Sequence, residues 1–334
     1  VEQAQRAQHT FELAEQAVGV VRICQLVEGI PLALELAAAW TKTLSCAAIA
    51  DEIARNLEFL TTPLHNMPPQ HSSLRAVFEQ SWSLLTPAEQ RVFRRLAIFR
   101  NGFQRAAATA VAGATLVTLT ALVDQSLIVR KADDRYQIHE LLRQYAEVQL
   151  LAAADEMVST QEAHGLYYGE YLAQYTAAIC DHRQQAAINA ISADYENIRV
   201  AWQWLVAHGA VALIGRATFA LNALYTFRSL YHEGVRVLAQ SAPMLRALAS
   251  SPDRDVALAN VLVGLGWLQI RRGQLDAAQS SLEESQQLHT SAKLPPHPGL
   301  ATDPLLGLGV LALARGNYAA ATALGEAAQQ RSLH

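Results

Sequence analysis

Apolar residues recur at three- and four-residue intervals along most of the chain, a spacing that predicts one helix after another. Within 71–150, Leu74, Val77, Phe78, Trp82 and Leu85 fall on one helical face. "TPAEQ" predicts the next start: Thr86 caps, Pro87 fits the first turn, and Glu89 completes a Thr-x-x-Glu capping box. Val92, Phe93, Leu96 and Phe99 form its inward stripe, and "NGF" at 101–103 ends it. A third helix runs to about Ala112 before Gly113, and a fourth covers roughly Leu116 to Gln125. The period then changes. In "SLIVRKADDRYQI", Leu127 and Val129 alternate, "KADD" turns, and Tyr136 and Ile138 alternate back, as in a β-hairpin. Leu141, Leu142, Tyr145 and Val148 restore helical spacing. Helices followed by a two-stranded wing make a winged helix.

The flanking segments are helical throughout. In "EGIPLALELAAAW", Gly29 supplies a turn and Pro31 suits the first helical position, where its missing N–H is not needed; Leu32, Leu36 and Ala39 follow at helical spacing. "TTPLHNMPPQ", 61–70, has three prolines and no apolar period, so it reads as a linker. Beyond the winged helix, "LGWLQIRRGQLDAAQSSLEES" and "LGVLALARGNYAAATALGEAA" share Gly266/Gly309, Gly273/Gly316 and Ala278/Ala321, 43 residues apart. A weaker copy, "LNALYTFRSLYHEGVRVLAQS", aligns Asn222 with Gly266 at an offset of 44. The middle glycine turns the chain; the first glycine and the alanine lie where two antiparallel helices cross closely. That is the logic of a tetratricopeptide-type solenoid. The expected architecture is mostly α: a helical lid subdomain over 1–66, a winged helix with a small β-hairpin over 67–155, and a TPR-like solenoid over 156–334 that is incomplete at its C-terminal end.

Composition sharpens this picture. Hydrophobic residues make up 51% and charged residues 17% of the 334, with much alanine, which suits close helix packing. The net charge of −4 argues against a general polyanion binder, and only 70–155 is positive, with 10 basic and 8 acidic side chains. No apolar run reaches the length of a membrane span, so the expected location is the cytoplasm, with no membrane partner. Cys24, Cys46 and Cys180 are odd in number and set in apolar helical runs, which predicts buried reduced thiols. The chain neither starts like a native protein nor ends outside a helical pattern, so a piece of something larger is expected.

Candidate chemistry is sparse. Neither a Walker A nor a Walker B motif occurs, so no enzyme activity is expected of this chain alone. His139-Glu140 begins like a zinc motif, but Arg143 stands where the second histidine belongs, and no metal site is expected. The helix before the wing, "LVTLTALVDQ", has one acid and no base, which argues against direct nucleic-acid reading. Arg91, Arg94, Arg95 and Arg100 cluster elsewhere, as a solvated face or a domain contact. Tyr168, Tyr171, Leu172 and Tyr175, and then Ile198, Trp202 and Leu205, read as packing residues. His139 is different: at a helix start just after a strand, it puts a donor beside free amides and a positive dipole end, a combination that suits phosphate.

These segments together resemble the STAND nucleotide-switch ATPases, the group that contains NB-ARC proteins and bacterial maltose-regulator-type activators. "GIPLALELAAA" resembles their GxP motif, "SLRAVFEQSWSLLTPAEQRVFRRLAIFRNGF" with "LVDQSLIVRKADDRYQIHELLRQYA" their winged helix, and "ADYENIRVAWQWLVAHG" with the repeats their sensor arrays. The resemblance implies a cytoplasmic bacterial regulator in which ADP or ATP, bound only in the full-length protein, is held between an upstream P-loop domain, the lid and the winged helix. Gly29 and Pro31 match the GxP motif; His139 matches the phosphate-contacting histidine of the MHD motif, with Ile138 for methionine and Glu140 for aspartate. The resemblance further implies an inducer (peptide, protein or small molecule) at the repeats, self-association on activation, and an output in transcription. Two other classes remain open: a protein-interaction scaffold without nucleotide logic, and a DNA-binding winged-helix regulator.

Overall fold

The computed structural model describes residues 4–5, 11–27, 29, 31–55, 74–291 and 303–332. The predicted linker at 61–70 and most of the proline-rich 291–304 lie outside the described residues. The fold is mostly helical with a single two-stranded sheet among the described residues. It divides into two compact units, Val1–Gln161 and Glu162–His334, so that the segments expected as lid and winged helix share the first.

In the first unit, α1 (Leu13–Leu26), α2 (Pro31–Ala39) and α3 (Cys46–Arg55) precede α4 (Leu74–Ser83). Then come α5 (Pro87–Leu96), α6 (Arg105–Ala112), α7 (Leu116–Asp124), the strands β1 (Val129–Arg130) and β2 (Tyr136–Gln137), and α8 (Glu140–Leu151). The capping box forms as expected, with the Glu89 N–H donating to Thr86 and the Glu89 carboxylate accepting from the Thr86 N–H. Val92, Phe93, Leu96 and Phe99 are buried. Gly113 ends α6 in the left-handed region at φ 69°.

The wing departs from its expected register. Val129 is half exposed, whereas Leu127 and Ile128 are both buried, because their N–H groups still turn back onto the Leu122 carbonyl at the end of α7. Pairing starts only at Val129↔Gln137. Phe103 adds a bridge on the other side of β2, exchanging hydrogen bonds with Tyr136 at 2.9 and 2.8 Å. Gly102 permits that approach: at φ 88°, a β-carbon there would lie 2.7 Å from the Tyr136 carbonyl oxygen.

Glu156 explains why the first unit extends past the expected boundary at 155. It opens the helix Ala154–Gln174 (α9) and receives Arg94 and Arg95 from α5, the latter at 2.7 Å. The arginine cluster is thus in part an ion-pair clamp. The thiols also correct the expectation: Cys46 is buried, but Cys24 and Cys180 are exposed, because each sits on the outward side of its helix or at a helix end.

The second unit continues through Tyr195–Ala207 (α12), after the short α10 (Thr176–Ile179) and α11 (Gln184–Ala193). Tyr168, Tyr171 and Leu172, and Ile198, Trp202 and Leu205, are buried packing residues. Three hairpins follow: α13 (Val211–Phe227) with α14 (Tyr231–Ala247), α15 (Pro252–Arg271) with α16 (Leu275–Ser291), and α17 (Pro304–Ala314) with α18 (Tyr318–Ser332). They match the three sequence copies. Gly273 and Gly316 make left-handed turns at φ 72° and 76°. In the weak copy Ser229 takes that conformation at φ 56°, and Gly234 stands in place of the alanine. A β-carbon at Gly234 would lie 2.6 Å from Leu268, and one at Gly266 2.6 Å from Leu282 Cγ. Gly309 is looser, since its β-carbon would meet nothing nearer than 3.5 Å.

This contrast sets an expected outcome. Gly266→Val lowers the stability of the repeats by about 1–3 kcal/mol through overpacking, whereas Gly309→Ala raises it by about 0.5–1 kcal/mol through helix propensity. Urea unfolding midpoints of the two variants check this.

Candidate functional site

The site expected from Gly29, Pro31 and His139 lies within the first unit. α1 ends at Leu26, and Gly29 turns the chain at φ 80° with nothing within 4 Å of where a β-carbon would stand. Gly29 is exposed, and Pro31 opens α2 as its first residue; the Pro31 side chain lies outside the described residues. His139 is the N-cap of α8, at φ −58° and ψ 137°.

The imidazole joins these elements. Its Nδ1 accepts the Leu141 N–H at 3.2 Å, which fixes Nε2 as the ring nitrogen that carries hydrogen. Nε2 then donates to the Val27 carbonyl at 2.9 Å, two residues before Gly29 and four before Pro31. Helix ends leave amides at one terminus and carbonyls at the other without internal partners. One neutral ring therefore satisfies an orphan N–H of α8 and a carbonyl at the end of α1. Histidine is an uncommon cap, and here its length is what reaches Val27, which is fully buried.

Arg143 holds the same helix from beneath. Its guanidinium forms a two-pronged pair with Glu140, both bonds 2.8 Å, and a third bond of 2.8 Å to Glu147. It also donates to the Ala97 carbonyl at 3.3 Å, past the end of α5, and Arg100 reaches Glu147 at 2.9 Å. Arg143 is 9% exposed, so this is a nearly buried charge offset by two carboxylates. Sequence reasoning missed it, having noted Arg143 only for not being a histidine. The available signal was Glu140, Arg143 and Glu147 at helical spacings of three and four. A small cavity of about 180 Å³ opens beside it, lined by Gly102, Gln137, Ile138, Glu140 and Arg143 among others.

The geometry thus brings His139 onto the turn that carries Gly29 and leads into Pro31. It differs from the expectation in what the ring bonds to. The nitrogen facing the helix-start amides is an acceptor, not a donor, and the Nε2–H is directed to backbone. α7 carries no basic residue and exposes Leu116 and Val117. Among the described residues no cluster of three or more potential metal ligands occurs, and no single helix is long and apolar enough to cross a membrane.

Comparison with known proteins adds context. No protein-family profile matches the chain. It is 31% identical over 283 residues to a protein of Mycobacterium tuberculosis named as an HTH-type transcriptional regulator, covering 80% of this chain and 32% of that one. A Mycobacterium bovis protein of the same name matches equally. The regulatory protein AfsR of Streptomyces coelicolor is 33% identical over 144 residues, covering 40% of this chain and 13% of AfsR. The chain therefore spans about a third of the mycobacterial relatives it matches. Among solved structures, a STAND protein with a tetratricopeptide repeat sensor from Pyrococcus horikoshii aligns over 98% of this chain and 52% of its own, at 11% identity and a TM-score of 0.29, too low to establish a shared fold. The chain is similar to regions of transcriptional regulators.

Two variants separate the two bonds of His139. His139→Ala removes a cap, about 1 kcal/mol, and leaves the Val27 carbonyl unpaired, about 1–3 kcal/mol. His139→Asn restores the cap but not the reach, so its stability falls between the wild type and His139→Ala. Urea midpoints, with amide exchange at Leu141 as the local probe, check the order.

Proposed function

We propose that this chain is the regulatory and sensor region of a STAND-class transcription regulator, and that its first unit forms two walls of a nucleotide site. The observation that carries the reading is the Nε2–H of His139 hydrogen-bonded to Val27, at the turn that holds Gly29 and precedes Pro31. An exposed left-handed glycine, a helix start and an imidazole donor on one turn are a set that fits a diphosphate. ADP or ATP would supply the phosphate charge, and a P-loop domain elsewhere in the whole protein would supply the main cradle. His139, Gly29 and the amino end of the helix opened by Pro31 are the residues of this chain that would hold it.

In this reading the histidine donor has two competing acceptors, a backbone carbonyl and a phosphate oxygen, and the winged helix is a hinge whose position depends on which is bound. The repeats bind an inducer that releases the hinge, and the freed protein self-associates. The chain itself performs no catalysis; hydrolysis belongs to the whole protein, in the cytoplasm. The acidic, base-free α7 supports placing DNA contact outside this winged helix.

The test uses the protein extended to include its P-loop domain. A hydrogen bond from imidazole to phosphate contributes about 1.5–3 kcal/mol, about 10–150-fold in affinity. His139→Ala is expected to weaken ADP by that factor and to shift the protein toward the oligomer in sedimentation. His139→Asn, which keeps the helix cap, weakens ADP similarly. Unchanged ADP retention in both variants would overturn the reading.

A further inference from the structure

The second unit contains a cavity of about 470 Å³ between α13 and α15, the first helices of two successive hairpins, with Ala173 and Thr176 closing one side. Its volume lies in the range of small-molecule sites. Val211, Phe219, Val256 and Val263 give it an apolar wall drawn from both helices, and Gly215 and Gly264 leave space where side chains would otherwise stand. A β-carbon at Gly215 would lie 3.3 Å from Val256 Cγ1, so the two helices are in contact there.

The polar residues of the lining are turned toward the protein or stand at the rim. Thr218 donates its hydroxyl hydrogen to the Ile214 carbonyl at 2.6 Å, and Thr176 donates to the Arg216 carbonyl at 3.5 Å. Asn260 donates its amide hydrogen to the Gly215 carbonyl at 2.9 Å. The Oδ1 atoms of Asn222 and Asn260 are shut off from solvent, so neither faces the cavity. Arg216 and Asp253 are exposed and belong to the rim, where Arg216 pairs with Glu170 of α9. A hydroxyl or amide bonded inward in this way offers a ligand mainly its carbon atoms. A rim charge in water acts only weakly on a neighbouring charge. What discriminates inside the cavity is therefore apolar area, which tightens binding about fourfold per buried methylene.

We propose that this cavity binds a small amphiphile by its apolar body, a single hydrocarbon chain, and leaves the polar head at the rim in water. Phe219, Val256 and Val263 hold the body, and the head, whatever its charge, contributes little. A chain lodged between α13 and α15 touches two successive hairpins at once, and so favours the helix spacing that fits it. The proposal names the ligand class for the sensor role of the repeats and rests on that role only for its biological meaning. Neither the winged helix nor any nucleotide takes part in the binding itself.

The experiment uses the whole chain with labelled valine methyls and the straight alkanols from 1-butanol to 1-octanol, with octylamine and octanoate as matched head groups. Binding is titrated by calorimetry and located by NMR. The expected result is saturable binding that tightens about fourfold per methylene, with Overhauser contacts from the chain to the methyls of Val256 and Val263. The three eight-carbon probes bind within about tenfold of one another. Asp253→Asn and Thr176→Val leave octanol affinity unchanged. Phe219→Ala, and Ala212→Trp at an exposed lining position, each weaken octanol about fivefold or more. No saturable binding, no dependence on chain length, or contacts away from Val256 and Val263 would each overturn the proposal. So would a head-group difference beyond tenfold, or full octanol affinity in folded Ala212→Trp. The sensor role fails separately: octanol bound at the site without any change in ADP retention by the longer protein would leave the site standing and remove the role.

Discussion

One imidazole spans two helix ends, and the first unit is organised around that span. The carbonyl left over at the end of α1 and the amide left over at the start of α8 are far apart in sequence, yet His139 serves both. A shorter cap such as serine would satisfy the amide and leave the buried carbonyl without that partner. The ring's neutrality is built into the arrangement, because one nitrogen must accept while the other donates. Arg143 makes the geometry dependable by tying the first turns of α8 to the end of α5. The end of α1 and the start of α8 are thus coupled through a contact that depends on a single proton-bearing atom.

The repeats obey a different constraint, the distance at which two helices cross. Where Gly266 faces Leu282 there is no room for another carbon, so the leucine fills the space a side chain would have used. The weak copy reaches a similar crossing by exchanging roles, with Ser229 in the left-handed turn and Gly234 at the close approach. Asn222 then stands where the other copies have glycine, and the same substitution that weakens the sequence repeat places an amide against Gly264.

What could be read from the sequence was local. The Thr86–Glu89 box, Pro31 at a helix start, and the turns at Gly113, Gly273 and Gly316 each depend on a few adjacent residues, and each formed where expected. The hairpin was legible in kind but not in register, because Ile128 is still governed by the preceding helix. Features made across long separations were not legible. Arg143 against Ala97, Glu156 under Arg94 and Arg95, Phe103 beside Tyr136, and Asn260 against Gly215 all join residues tens of positions apart. His139 lies between these cases: its place at a helix start was legible, while its role as a cap and its second partner, Val27, needed the fold.

The cysteines carry a practical consequence. Cys24 is exposed in the first unit, Cys180 is exposed in the second, and Cys46 is withdrawn into the core, where burial pushes its thiol pKa up. Maleimide fluorophores or nitroxides would therefore attach at one native position in each unit without any engineered residue. The molecule comes with its own pair of spectroscopic rulers, and energy transfer between them would report the separation of the units in solution as ligands are added.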